Sequence, residues 1–182
     1  MTWNAILQIG LYLIALVALT KPLGWYMARV YEGKSCGLDR AFGWLERLIY
    51  RLGGIDEKRE MSWKTYAVAM LLFNILGFLA VYGLMRVQHL LPLLNPQKMD
   101  AASADLSLNT AISFATNTNW QSYGGETTLS YLTQMLALTV QNFVSAATGM
   151  AVLIAFIRGF VRNTVQTIGN FWFDMTRSTL YI

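Results

Sequence analysis

The chain has 182 residues, of which 55% are hydrophobic and only 13% are charged. A soluble domain usually carries about a quarter charged residues, so this composition excludes an ordinary soluble domain and indicates a membrane protein surrounded by membrane lipids. The net charge of +4 does not indicate a nucleic-acid partner, because the basic residues cluster beside apolar segments instead of forming a stripe.

Residues 1–31 are predicted to form an N-terminal transmembrane helix with an apolar centre from Ile6 to Leu19. Lys21 and Arg29 follow this centre and no basic residue precedes it, which is the reverse of the charge order in a secretory signal peptide. Because Lys and Arg favour the cytoplasmic side, this order places the N-terminus on the periplasmic or extracellular side.

Residues 32–64 are polar and rich in Lys and Arg, which predicts a cytoplasmic linker. Within the linker, apolar residues recur at helical spacing and predict an amphipathic helix lying on the inner membrane surface. Gly53 and Gly54 are expected to end this helix. The apolar residues are Phe42, Leu45, Leu48, Ile49 and Leu52.

Residues 65–157 are predicted to form a helix–pore loop–helix repeat. Its two transmembrane helices run from Thr65 to Gln88 and from Leu129 to Ile157. Between them, Leu106 to Ala115 is apolar but too short to cross a bilayer. Apolar stretches of ~10–14 residues are more often re-entrant or buried than spanning, so this segment is predicted to be a pore helix.

The pore helix and the loop after it occupy about residues 105–125. The predicted fold class is therefore an all-α membrane protein with three transmembrane helices, a re-entrant pore helix and a filter loop. Ser103 or Asp105 is expected to cap the pore helix by accepting from its first free N–H groups. Glu126 is expected to open the third transmembrane helix, where the positive end of the helix dipole favours an acid. Attraction of cations at the outer mouth of the loop is the alternative role for Glu126.

Residues 158–182 are predicted to be a cytoplasmic segment followed by the start of a truncated further helix. Arg158 and Arg162 end the third span on the cytoplasmic side. From Gly159 to Arg177 the chain is polar and aromatic, which fits an inner-surface segment. Ser178 to Ile182 is apolar enough to begin another helix.

The stretch from Thr116 to Glu126 has the composition of a cation filter. Filters replace the hydration shell of an ion with backbone carbonyls, which requires residues that tolerate left-handed backbone angles. Asn117, Asn119 and the pair Gly124–Gly125 meet that requirement. Calcium and magnesium prefer carboxylates, so this neutral loop suits a weakly hydrated monovalent ion. An ordinary external connection between two helices is the alternative reading.

Four stretches, Lys21–Gly24, Arg59–Lys64, Thr116–Tyr131 and Leu138–Phe143, resemble the potassium-binding A subunit of the Kdp potassium-transporting ATPase. The resemblance extends over essentially the whole chain, and the string Thr116–Tyr131 is its most specific part. This family belongs to the potassium transporters built from helix–pore loop–helix repeats, with one extra helix before the first repeat. Three predicted transmembrane helices agree with that plan.

The resemblance implies a potassium site in the central loop. Asn117, Thr118, Asn119 and Gln121 map onto the filter of the family's first repeat and its entrance. Asn119 occupies the position where a potassium-channel filter would place glycine. We therefore expect these four residues to contact the transported K⁺ ion, and we expect no organic cofactor.

The resemblance also implies the partners. ATP hydrolysis would occur on a separate P-type catalytic subunit (KdpB), and the subunits KdpC and KdpF would complete the complex in the bacterial inner membrane. The chain itself would be non-catalytic, binding extracytoplasmic potassium and passing it through the membrane. In agreement, the sequence contains no phosphorylatable Asp-Lys-Thr-Gly string.

The chain departs from the family in length. Family members carry four repeats, whereas this sequence carries one, so we expect a fragment of a longer subunit. Assembly of identical copies around an axis is the alternative. A non-conducting membrane assembly or regulatory protein is the competing function, and it would not distinguish one monovalent cation from another.

Overall fold

A computed structural model describes residues 2–162 and 166–182 and confirms the all-α membrane class. Three of its helices are long and apolar enough to cross a membrane, as predicted. They are α1 (Trp3–Tyr31), α3 (Trp63–Leu90, with a 3₁₀ turn at its end) and α6 (Tyr131–Val161).

The first span stands apart from the rest of the molecule. Along the apolar centre of α1 no residue is buried, and only Val30 and Tyr31 in its last turn are buried. Its contact with the rest of the molecule includes a hydrogen bond from the Tyr26 hydroxyl to the carbonyl of Tyr181, at 2.6 Å. The apolar sides of α1 therefore remain available to lipid or to other protein.

An amphipathic helix forms in the predicted linker. This helix, α2, spans Asp39–Gly53 and ends at Gly54, whose φ of 61° is left-handed. Glycine adopts this conformation without steric cost, and it is the usual residue after a helix C-terminus. The prediction that Gly53 and Gly54 end this helix is therefore confirmed.

The short helix before the central loop, α4, spans Ala104–Ala115. The hydroxyl of Ser103 caps it by accepting from the backbone N–H of Leu106, at 3.3 Å. Asp105 lies in the first turn, where the helix dipole favours a negative charge. Of the two predicted caps, Ser103 is the one that the structure confirms.

The predicted start of the third span was wrong, because Glu126 does not open that helix. Glu126 lies in a separate four-residue helix, α5 (Gly125–Thr128), and Leu129 after it is extended. The third span α6 begins at Tyr131, because the Ser130 hydroxyl caps it by accepting from the N–H of Thr133. The prediction treated α5 and α6 as one helix, whereas the Ser130 cap makes α6 a separate helix.

The prediction for the segment after the third span was also wrong in part. A last helix, α7, spans Phe171–Tyr181, so it begins well before Ser178. The side chain of Asn170 starts it by accepting from the N–H groups of Trp172 and Phe173. Phe171 and Phe173 are buried instead of lying on a surface, whereas Phe160 is exposed. Residues 163–165 of the predicted segment lie outside the described part of the chain.

Two buried clusters hold the helices together, one at each end of the molecule. The first cluster joins α3, α4 and α6 near the central loop. The second joins α3, α6 and α7. The first cluster consists of Val81, Met85, Ala102, Ala111, Phe114, Leu129, Ala137 and Leu138. The second consists of Tyr66, Ala69, Ala151, Ala155 and Phe171.

Gln88 at the end of α3 is a fully buried amide that ties several segments together. Its Nε2 donates to the carbonyls of Asp100 (2.5 Å) and Thr128 (2.9 Å). Its Oε1 accepts from the Ser130 N–H and the Thr133 hydroxyl, both at 3.1 Å. One side chain thus joins α3, the loop before α4, the end of α5 and the start of α6.

Replacing Gln88 with leucine is expected to lower the free energy of unfolding by about 2–3 kcal/mol, because it leaves buried donors and acceptors without partners. Thermal unfolding in detergent measures the loss. The matched control is Gln97→Leu, since Gln97 is exposed; a surface change of this kind stays within about 0.5 kcal/mol. Equal stability of the two variants would contradict the role given to Gln88.

Candidate functional site

The central loop is carried by the C-terminus of α4. Ala111 and Phe114 of α4 are buried in the first cluster together with Val81 and Met85 of α3. The helix is therefore fixed by packing up to its last turn, and the chain leaves it at Thr116. The negative end of the α4 dipole points toward the residues that follow.

Ser113 anchors the loop and was not recognised in the sequence. Its backbone carbonyl accepts from the N–H groups of Thr118 (3.0 Å) and Asn119 (3.2 Å). Its hydroxyl donates to the carbonyl of Trp120, at 2.9 Å. Ser113 is itself buried, so these bonds fold the loop back over the end of α4. A hydroxyl one turn before the loop is the only signal that the sequence offered.

The two asparagines of the loop adopt the left-handed backbone conformation. Asn117 has φ 58° and Asn119 has φ 53°. This confirms the expectation from residue type, since asparagine is among the few non-glycine residues that tolerate this region. The same expectation is wrong for Gly124, whose φ is −88°, and for Gly125, which begins the helix α5.

The turn leaves acceptor oxygens unused. Within residues 2–162 and 166–182, the carbonyl oxygens of Asn117, Thr118 and Asn119 accept no hydrogen bond. All three residues are exposed. Uncommitted carbonyls beside the negative end of a helix dipole can replace water around a cation.

The side chains of the asparagines are bonded to each other, and that of Asn117 also lies beside α6. Asn119 Nδ2 donates to Asn117 Oδ1 at 3.0 Å. The hydroxyl of Ser145, which is buried in α6, lies 3.4 Å from the same oxygen and 2.6 Å from the carbonyl of Gln141. The loop is therefore held by hydrogen bonds to Ser113 of α4, and it lies against Ser145 of α6.

Helices α3 and α6 approach each other closely at Gly77 and Gln141, one turn before Ser145. A Cβ at Gly77 would lie 2.5 Å from Oε1 of the buried Gln141 side chain, so a larger residue there would have to displace the end of that side chain. Just before Gln141, residues Gln134–Thr139 form a π-helical turn. π-helical turns occur frequently at functional sites, and this one precedes the residues that contact the loop.

Three of the four predicted site residues lie together. Asn117, Thr118 and Asn119 are folded over Ser113. Gln121 lies past this turn, after Trp120, and is exposed. Gln121 is thus separated from the turn that Asn117, Thr118 and Asn119 form.

Comparison with known proteins gives consistent matches. The profile of the family described as "Potassium-transporting ATPase A subunit" matches residues 10–182. A protein of Herpetosiphon aurantiacus named potassium-transporting ATPase potassium-binding subunit is 63% identical over 98% of this chain and 31% of its own length. Proteins of the same name from Methylococcus capsulatus and Chromobacterium violaceum are 64% and 62% identical over the whole chain and 30% of their length. The chain thus spans about a third of the length of these curated relatives.

Proposed function

The chain belongs to the family of potassium-transporting ATPase A subunits, and on that premise we propose that it binds potassium as part of a pore-forming subunit. The observation that carries this proposal is the left-handed turn at Asn117 and Asn119, where the carbonyls of residues 117–119 receive no hydrogen bond from the described part of the chain. Asn117, Thr118 and Asn119 form the filter, and Gln121 forms its entrance.

The chemistry of the loop favours potassium over divalent ions. The oxygens of Asn117, Thr118 and Asn119 are neutral, and no carboxylate lies between Thr116 and Gly125. Calcium and magnesium are usually held by carboxylates, whereas a potassium ion is held by rings of carbonyls. One loop supplies only part of such a ring. Further copies of the repeat, within a longer subunit, complete it.

The proposed setting is the bacterial inner membrane. Residues 32–64, which follow α1, carry half of the Lys and Arg residues and lie on the cytoplasmic side, so the N-terminus and the central loop face the periplasm. Potassium enters at this loop from outside. ATP hydrolysis on a P-type catalytic subunit (KdpB), with KdpC and KdpF as further subunits, drives transport, and this chain takes no catalytic part.

The test is potassium-limited growth of cells that lack their own potassium uptake and carry the transport complex with Gln121→Arg. A fixed positive charge at the entrance repels the incoming cation, so we expect the potassium concentration needed for half-maximal growth to rise roughly tenfold or more. The matched control is Gln97→Arg, the same substitution at an exposed position of the loop before α4. It is expected to grow like the wild type.

The alternative function gives a different result. If Gln121→Arg and Gln97→Arg both grow like the wild type, Gln121 is not part of the entrance. If, in addition, growth is equally insensitive to substitutions at Asn117 and Thr118, a non-conducting membrane assembly protein is the better assignment.

A further inference from the structure

The amphipathic helix α2 presents three distinct faces, and only one of them packs on the protein. The packed face carries Asp39, Gly43, Glu46 and Tyr50, which follow one another at helical spacing. Gly43 is buried, and Tyr50 stacks on Phe173 of α7 with ring centroids 6.1 Å apart.

Both acids of the packed face are bound to α7. Arg177, which is almost fully buried, lies 3.4 Å from Oδ1 of Asp39 and 3.3 Å from Oε1 of Glu46. The hydroxyls of Tyr181 and Tyr50 donate to the two oxygens of Glu46 at 2.6 and 2.8 Å. These contacts engage the negative charges of α2 within the protein.

The second face carries three arginines. Arg40, Arg47 and Arg51 are separated by seven and four residues, which places them within ~40° of one another around the helix. All three are exposed, and within the described ranges 2–162 and 166–182 none forms an ion pair. Trp44, 61% exposed, lies on the same face. Tryptophan and arginine together are typical of membrane interfaces.

The third face is apolar and exposed. It includes Phe42, Leu48 and Leu52, and Leu52 is 79% exposed. This apolar face borders the arginines on the helix surface, since Leu48 lies three residues before Arg51 and such pairs are neighbours on a helix. Cationic side chains beside an apolar stripe are the signature of a helix that lies in a bilayer interface.

The contacts of α7 place α2 at the level where the first span ends. The hydroxyl of Tyr31 lies 2.7 Å from that of Ser178, and the hydroxyl of Tyr26 bonds to the carbonyl of Tyr181. Since α2 is bound to the same turns of α7, it lies beside the last turns of α1. That is the depth at which a spanning helix leaves the hydrocarbon.

We propose that α2 is a binding site for anionic phospholipid, with Arg40, Arg47 and Arg51 holding lipid phosphates and the apolar face inserted among acyl chains. Lipid is preferred to a protein partner because the cationic and apolar faces are adjacent at the end of a span, matching the order of headgroups and acyl chains in a membrane. This site is independent of the potassium function. Its role is to fix the inner end of α1 and α7 relative to the bilayer.

The first test measures lipid binding to the full chain in detergent by native mass spectrometry, with phosphatidylglycerol and phosphatidylcholine as probes. The triple variant Arg40→Gln/Arg47→Gln/Arg51→Gln is expected to bind phosphatidylglycerol roughly 100-fold more weakly, since each arginine near the headgroups contributes several-fold in affinity. Binding of phosphatidylcholine should be unchanged. The matched control, Lys58→Gln/Arg59→Gln/Lys64→Gln, removes the same charge from exposed positions outside α2 and is expected to keep its phosphatidylglycerol affinity.

A second test locates the apolar face. A fluorophore on Leu52→Cys, in a Cys36→Ser background, is expected to be quenched by brominated acyl chains when the protein is reconstituted into vesicles. The proposal is overturned if the two triple variants bind phosphatidylglycerol equally. It is also overturned if the fluorophore is not quenched by lipid, which would mean that water or another protein surface covers this face.

Discussion

Replacing Asp174 with alanine is expected to lower the free energy of unfolding by about 3–5 kcal/mol, because it leaves a buried guanidinium without its partner. The Asp174 side chain is fully buried, and that of Arg158 is 14% exposed. Nη1 and Nη2 of Arg158 contact the two carboxylate oxygens at 2.5 and 2.9 Å. Burial raises the pKa of the Asp174 carboxyl, and the Arg158 guanidinium opposes that shift.

The pair is joined to four helices. The Tyr66 hydroxyl of α3 donates to Asp174 at 3.1 Å, and it also lies 2.8 Å from the carbonyl of Ala151 in α6. Arg158 of α6 donates to the carbonyl of Tyr31 at the end of α1, at 3.2 Å. Loss of Asp174 therefore loosens the contacts of α1, α3, α6 and α7 at the end of the molecule opposite the central loop.

Thermal unfolding in detergent measures this effect, with Glu60→Ala as the control. Glu60 pairs with Arg162 at 2.9 Å, but both side chains are partly exposed, and an exposed pair is worth about 1 kcal/mol or less. Exchanging both buried partners for apolar residues, as in Arg158→Met/Asp174→Leu, is expected to restore part of the lost stability. If Asp174→Ala and Glu60→Ala unfold at the same temperature, the buried pair does not have the role assigned to it.

The sequence predicted the spans because their signal is local and strong. Long apolar runs identify α1, α3 and α6 as transmembrane helices, and a short apolar run identifies α4 as a helix that does not cross the membrane. The first turns of α7, before Ser178, were missed because their polar residues face inward. Asp174 and Arg177 are buried in ion pairs with residues of other helices, and a hydropathy pattern assigns such residues to a surface.

The candidate site was predictable where residue type decides the backbone. Asparagine tolerates left-handed angles, and both Asn117 and Asn119 adopt them. The support of the loop was not predictable, because it depends on tertiary contacts. Neither the carbonyl of Ser113 nor the hydroxyl of Ser145 carries a local signal of the loop residue that it contacts.

The second large effect is expected at Asn119, whose left-handed backbone presents the carbonyls of the loop. A β-branched residue in this conformation costs about 1–2 kcal/mol, so Asn119→Val should distort the turn. Glycine adopts it freely, so Asn119→Gly should keep the backbone and lose only the bond from Nδ2 to Asn117. The two substitutions therefore separate the role of the backbone from that of the side chain.

The most direct measurement is the potassium concentration that gives half-maximal uptake by cells whose only potassium transporter is the complex carrying these variants. We predict a value within a few-fold of wild type for Asn119→Gly and a value raised about tenfold or more for Asn119→Val, as a strain of about 1.4 kcal/mol implies. Comparable expression of both variants in the membrane is the required control. If Asn119→Val takes up potassium like the wild type, or if Asn119→Gly fails as badly as Asn119→Val, then the backbone of this turn is not what binds the ion.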